Sequence, residues 1–140
     1  MLTAYRSLKD IDLAFPDRER CYAYLEKIRW KGQPVSPFDA GAKVTRVNAL
    51  TYKCTATKKR FNVLTGTVFA YSKLPLIDWF RVIWLLQARP GISTPRGAAL
   101  CGLHQKTFYA MQQRLFATGA FRESPLTPDD EQSKDHRRRP

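Results

Sequence analysis

The 140-residue chain is poor in the side chains that most chemistry needs. It has two histidines, His104 and His136, with no nucleophile or carboxylate at useful sequence spacing from either, so no catalytic constellation can be assembled around them. Its three cysteines, Cys21, Cys54 and Cys101, are odd in number and widely separated, which implies no disulfide framework. No secretory leader precedes them, and reduced thiols in a cytoplasmic protein are expected. Long apolar runs are missing too: the most apolar stretch, Leu74 to Ala88, is interrupted by Pro75, Asp78 and Arg81 and is too short to span a bilayer. It reads as a core helix, and no membrane partner is expected. Acidic residues are scarce as well, with 12 Asp and Glu against 24 Lys and Arg.

What is present is positive charge on a body of ordinary domain size. The formal net charge is +12. In residues 122 to 140 the basic side chains (Arg122, Lys134, Arg137, Arg138, Arg139) equal the acidic ones (Glu123, Asp129, Asp130, Glu131, Asp135) in number, so the whole excess lies in residues 1 to 121. A basic folded body, as opposed to a basic arm, favours a polyanion-facing surface, most simply nucleic acid, the alternative being charge that serves solubility alone. The length suits one compact domain, or two small ones sharing an interface, and allows a core without help from a metal.

An α+β fold is expected: an N-terminal helix, a small zinc-less ribbon of short antiparallel hairpins, then a helical helix-turn-helix bundle. Residues 1–14 read as a weakly patterned leader, 15–73 as helix and ribbon, 74–121 as the bundle and 122–140 as a disordered tail. Phe15-Pro16-Asp17 looks like a helix start with Pro in the first turn, and Cys21, Leu25 and Ile28 continue at helical spacing to about Trp30. Lys43 to Val47, Leu50 to Cys54, Arg60 to Val63 and Thr67 to Phe69 hold the β-branched and aromatic residues of short strands. Pro75 opens a helix from Leu76 to Gln87, apolar nearly all round and so expected to be the central element. Ser93 is a natural N-cap with Pro95 just inside a short helix through Leu100, and Gly102 supplies a tight turn into a second helix, Gln105 to Ala117, closed by Gly119. Helix, Gly-containing three-residue turn, helix is the pattern of a helix-turn-helix.

Two four-residue knuckles, Ser36-Pro37-Phe38-Asp39 and Cys54-Thr55-Ala56-Thr57, stand where a zinc ribbon carries Cys-x-x-Cys twice. A structural zinc needs four closed ligands, and only Cys54 remains, so no metal and no cofactor are expected. Phe38 suggests that apolar packing now holds the ribbon. Together with Phe15-Pro16-Asp17, Tyr24-Leu25-Glu26, Arg29-Trp30, Lys58-Lys59-Arg60-Phe61, Thr65-Gly66-Thr67-Val68-Phe69, Leu74-Pro75-Leu76, Trp79, Gly91-Ile92-Ser93 and Lys106-Thr107, the knuckles resemble the N-terminal region of a family of bacterial insertion-sequence transposases. The resemblance covers roughly residues 15 to 117. In that family a zinc ribbon and a helix-turn-helix precede a catalytic domain, so the resemblance implies descent from a DNA-recognition module. Ser36, Asp39 and Thr57 depart from it where the family places Cys. The chain also stops where the catalytic domain would begin, so no acidic triad for two-metal phosphoryl chemistry is available and no enzyme is expected.

Two functions are read from the last helix. Gln112-Gln113-Arg114-Leu115-Phe116 fits Gln-x-x-Leu-Phe, the short form by which many bacterial proteins dock on the replication sliding clamp: two apolar side chains fill a pocket while the Gln112 amide sets register. Leu115 with Phe108 and Met111 is equally explained as core, but Phe116 lies about 100° round the helix from Leu115. Because such peptides bind extended, docking requires the final turns to fray. Through Gln112, Leu115 and Phe116 the chain would inhibit replication in the manner of a toxin, similar to the SocB type of clamp-directed toxin, whose association implies an antitoxin that delivers it to a protease. The alternative is a helix-turn-helix transcription regulator, dimeric on palindromic sites. In it His104, Gln105, Lys106 and Thr107 face base edges, and Arg96, Arg114 and the Lys58-Lys59-Arg60 run contact phosphates. A nucleoid or replisome location follows from either.

Overall fold

The computed structural model describes residues 2–70 and 72–118. The disordered tail expected over residues 122–140 and the cap expected at Gly119 lie outside the described residues. A 3-10 turn, Leu2–Ala4, is followed by helices α1 (Leu8–Ala14) and α2 (Arg18–Trp30), strands β1 (Val44–Arg46), β2 (Tyr52–Cys54) and β3 (Arg60–Phe61), and helices α3 (Leu76–Ala88), α4 (Thr94–Cys101) and α5 (Gln105–Thr118). The fold class is α+β, as expected.

α3 is the axis of the molecule because its sequence leaves no polar face. Trp79, Phe80, Val82, Ile83, Leu85 and Leu86 are buried on it, and α1, α2, α4 and α5 all pack against it. Its polar atoms are used up at the rim. Trp79 Nε1 donates to Ser72 Oγ at 3.0 Å, Trp84 Nε1 to the Tyr5 carbonyl at 2.8 Å, and Arg81 Nε to Asp12 Oδ1 at 2.7 Å. The last two contacts recruit the N-terminus, which is where the expected leader fails. Ser7 caps α1 by accepting from Asp10 N, and Leu2 and Ile11 are fully buried. Leu2 and Ile11 belong to the core while Leu13 is 70 % exposed, and so short an amphipathic run does not register as a periodic pattern. No helix among the described residues is long and apolar enough to cross a membrane.

α2 begins two residues later than a start led by Pro16. Asp17 is the N-cap, its Oδ1 accepting from Arg20 N at 2.8 Å, and Pro16 lies outside the helix. Lys31 closes it in the left-handed conformation, φ 51°. Its last residue, Trp30, anchors the ribbon, meeting the Tyr52 and Phe61 rings edge-on at 5.5 and 5.9 Å between centroids. The ribbon is a three-stranded antiparallel sheet in the order β1-β2-β3. Val44 pairs with Cys54, Thr45 with Lys53 and Arg46 with Tyr52; Tyr52 in turn pairs with Phe61 and Lys53 with Arg60.

The strand expected at Thr67 to Phe69 does not form. The Thr67 hydroxyl donates to the Leu64 carbonyl at 2.6 Å and accepts from Phe69 N, while Gly66 sits at φ +80°. Local side-chain bonds of this kind compete with strand pairing, and the segment becomes a chain of turns. Arg29 of α2 braces it, donating from Nη1 to the Val63 and Thr65 carbonyls at 2.7 and 2.8 Å.

Candidate functional site

α4 and α5 form a helix-turn-helix whose joint is built from two glycines. Ser93 caps α4 by accepting from Arg96 N at 3.4 Å. Gly102 ends α4 at φ +69°, a conformation glycine adopts without steric cost, and the Leu103 amide bonds back to the Ala98 carbonyl at 2.9 Å. Gly97, buried in the middle of α4, lets the ring of Phe108 lie against the helix backbone. Bare backbone at that point sets how closely α5 approaches.

With α5 seated this way its two faces separate. Phe108, Met111 and Leu115 point into the core at 0, 2 and 0 % exposure. Gln105, Lys106, Tyr109, Ala110 and Gln113 are exposed, and successive members of this set lie within about 100° of one another round the helix. Tyr109 is 54 % exposed, unusual for so large a ring. The outward face thus carries two amides, one ammonium and one phenol, side chains that read base edges in a major groove.

The residues expected at a DNA surface divide. Gln105 and Lys106 lie on the outward face, and His104 is exposed just before it, its carbonyl accepting from Phe108 N at 3.0 Å. Thr107 is half-buried; it faces sideways, lining a cavity of about 380 Å³ with Lys106, Met111, Arg114, Leu74 and Trp79. Arg96 is exposed on α4. Arg114 is engaged within the fold: Nη2 donates to the Val68 carbonyl at 2.8 Å, and the guanidinium lies 5.5 Å from the Trp79 ring centroid. In the ribbon, Lys58 occupies the β2-β3 turn at φ 63°, Lys59 Nζ lies 5.3 Å over the Phe38 ring, and Arg60 is exposed on β3. Tyr109 and Gln113 were not picked out in sequence. Their signal is that they fall opposite Phe108, Met111 and Leu115 once those are known to be core.

The clamp motif sits within regular helix. Leu115 is fully buried, Phe116 is half-buried, and Gln112 is half-buried with its Oε1 enclosed and without a hydrogen-bond partner among the described residues. In this conformation the three side chains do not form one exposed surface.

Three of the four knuckle positions, Ser36, Cys54 and Thr57, still converge through hydrogen bonds. Ser36, 3 % exposed, accepts from Phe38 N at 3.0 Å and Asp39 N at 3.2 Å, so its own hydroxyl hydrogen is free to reach Cys54. Hydrogen bonds from the Ser36 and Thr57 hydroxyls, supplemented by the Thr57 and Ala56 backbone, pull the Cys54 thiol down from 9.0 to about 7, against the opposing effect of burial. Cys21 and Cys101 go the other way, burial pushing each up to about 11. Asp39 is turned aside, with Oδ1 accepting from Gly41 N at 3.1 Å. Phe38 packs edge-on against Phe61, centroids 6.2 Å apart, but is 41 % exposed, so its apolar contribution to the ribbon is partial. Among the described residues no three His, Cys, Asp or Glu side chains are grouped to hold a metal ion.

Compared with protein families, with curated proteins and with solved structures, the chain matches none.

Proposed function

We propose that the chain is a non-catalytic, sequence-reading DNA-binding protein that enters the major groove with the first turns of α5. The observation that carries this is the division of α5 into a buried apolar face and an exposed face holding Gln105, Lys106, Tyr109 and Gln113. Glutamine amides pair bidentately with adenine, and an ammonium suits guanine O6 and N7. Arg96 and the ribbon cations supply phosphate contacts, which account for the +12 charge of the chain. A transcription regulator is the simplest protein of this kind. The test is selection from a random duplex pool, followed by affinity measurement at physiological salt. A specific site should be bound at least about a thousandfold tighter than bulk DNA. Binding with no sequence preference leaves only the electrostatic term and ends the reading.

The second reading, docking on the replication sliding clamp with toxin-like inhibition of replication, is favoured by one observation. The buried Gln112 Oε1 has no hydrogen-bond partner among the described residues, a shortfall that costs about 1 to 3 kcal/mol and is relieved when the amide finds its bonds in a clamp groove. Against it stands the burial of Leu115, whose release costs about 1.5 to 3 kcal/mol. Docking therefore requires the last turns of α5 to unwind. An antitoxin or protease adaptor belongs to this reading alone. A lysate pull-down scored for sliding clamp tests it: wild type should capture clamp, and Gln112→Ala with Phe116→Ala should not while keeping its DNA affinity. A wild type that never captures clamp removes this reading and leaves the first untouched.

A further inference from the structure

From Ala40 to Ile77 the chain contains no aspartate and no glutamate, and within that stretch the ribbon carries Lys43, Arg46, Lys53, Lys58, Lys59 and Arg60. The fold sorts these cations by what they touch. Arg46, though exposed, is tied to the fold: Nη2 donates to the Tyr52 hydroxyl and Nη1 to the Ala49 carbonyl, both at 2.9 Å, with the guanidinium 5.0 Å from the Tyr52 ring centroid. Lys59 is spread over Phe38. Lys43, Lys53 and Arg60 have no such internal use among the described contacts.

The pairing register sets where those three stand. Tyr52, Cys54 and Phe61 are buried, so their strand neighbours point to the opposite face. Thr45 opposes Lys53 and Lys53 opposes Arg60, making one row across all three strands. Lys43 and Thr55, joined by the 3.0 Å bond from Thr55 N to the Lys43 carbonyl, begin the adjacent row about 6.8 Å along the strands. Like charges placed directly opposite in a sheet repel. The only ion pairs among the described residues are those of Arg81 with Asp12 and Asp78, so no carboxylate relieves Lys53 and Arg60. The isolated fold gains nothing from the arrangement, whereas an anionic chain laid across the rows removes the repulsion.

We infer that this outer face of the ribbon, through Lys43, Lys53 and Arg60, grips the sugar-phosphate backbone of duplex DNA independently of sequence. The inference rests on the DNA-binding reading of α5 and narrows the ribbon's part in it to one sheet face and three side chains. Duplex is favoured over single strands by what the face lacks: Tyr52 and Phe61 are buried on the other side of the sheet, and Phe38, 41 % exposed, packs against Phe61 and is covered by Lys59, which leaves no ring on the outer rows for bases to stack on. The face is also rigid, since Trp30 and Arg29 of α2 hold the ribbon and the turns that follow it. A fixed row of charges loses less freedom on binding than a flexible arm.

The test uses the full chain and a short mixed-sequence duplex, with affinity measured by fluorescence anisotropy across a salt series. Lys53→Thr with Arg60→Thr removes two phosphate contacts and should lower the slope of log K against log salt by about 1.8. Its melting temperature should hold or rise, because threonine suits strands and the repulsion is gone. The charge-preserving exchange Lys53→Arg with Arg60→Lys should keep the full slope. An unchanged slope in the folded threonine variant overturns the inference, and so does a loss of binding to phosphatidylserine vesicles with no change on DNA. A wild type that binds no duplex sinks the reading of α5 as well, so the two failures are told apart.

Discussion

A β-carbon placed on Gly97 would lie 2.4 Å from Cζ of Phe108 and 2.7 Å from Cε2. No real side chain tolerates that approach, so the angle at which α5 leaves α4 depends on a missing methyl group. Gly97→Ala should therefore destabilise the fold by about 1 to 3 kcal/mol, the usual cost of overpacking. Urea denaturation would register it, and DNA affinity should fall with it as α5 is pushed out. Trimming the ring in Gly97→Ala with Phe108→Leu should recover part of the loss, a coupling that a double-mutant cycle reads directly.

Arg114 should behave as a strut. Its guanidinium ties the Val68 carbonyl and covers Trp79. Arg114→Ala should lower stability by about 1 kcal/mol or somewhat more, the scale of a hydrogen bond from a charged donor. The salt slope of DNA binding should stay as in wild type, in contrast to the loss expected for Lys53 and Arg60. A drop in slope without a drop in stability would return Arg114 to the phosphate contacts.

The three thiols set opposite pH dependences. Cys54 titrates near 7 in the fold and near 9.0 when unfolded, so the stability it adds is complete above about 9 and disappears as pH falls through 7. Cys21 and Cys101, held near 11, add stability that is complete below 9 and is lost as pH rises toward 11. The melting temperature corrected for other groups should rise from pH 7 to 9 and then decline. Cys54→Ser should flatten the rising limb and remove the thiolate absorbance step near pH 7, leaving the high-pH limb in place.

The ribbon should still accept the metal it has no ligands for. The knuckle turns persist, with Ser36 Oγ accepting the Phe38 and Asp39 amides and the Ser36 and Thr57 hydroxyls bonded to Cys54. Ser36→Cys, Asp39→Cys and Thr57→Cys together restore four thiolates around that point. The variant should bind one zinc tetrahedrally, at Zn–S distances of about 2.3 Å by X-ray absorption, and gain thermal stability on loading. Failure to bind would mean that the knuckles have separated beyond ligand reach.

Much of this architecture was readable before any coordinates. Pro75 and the largely apolar run behind it define α3, Ser93 and Gly102 bracket α4, and the β-branched runs around Tyr52 and Phe61 locate the ribbon. The capping and turn signals act over a few residues, and a chain read in order contains them whole. Two misreadings came from the same source. The first fourteen residues looked unpatterned because Leu2 and Ile11 find their partners on α3 far along the chain, and Thr67 to Phe69 looked like a strand because composition cannot show that Thr67 spends its hydroxyl on local turns.

Composition and local signals were enough for fold class, for the order of α2, the ribbon and the three helices after it, and for a basic body, since charge, propensity and capping are properties of short stretches. The assignment of individual side chains belongs to packing. Register turned Lys53 and Arg60 to the outer face and Tyr52 inward, the Val68 carbonyl and the Trp79 ring tied down an exposed Arg114, and the approach of α5 over Gly97 buried Leu115 while leaving Tyr109 exposed. A cation or an aromatic ring has the same local preferences in either place, and it is the residues opposite it in space, distant in sequence, that settle whether it serves the core or a partner.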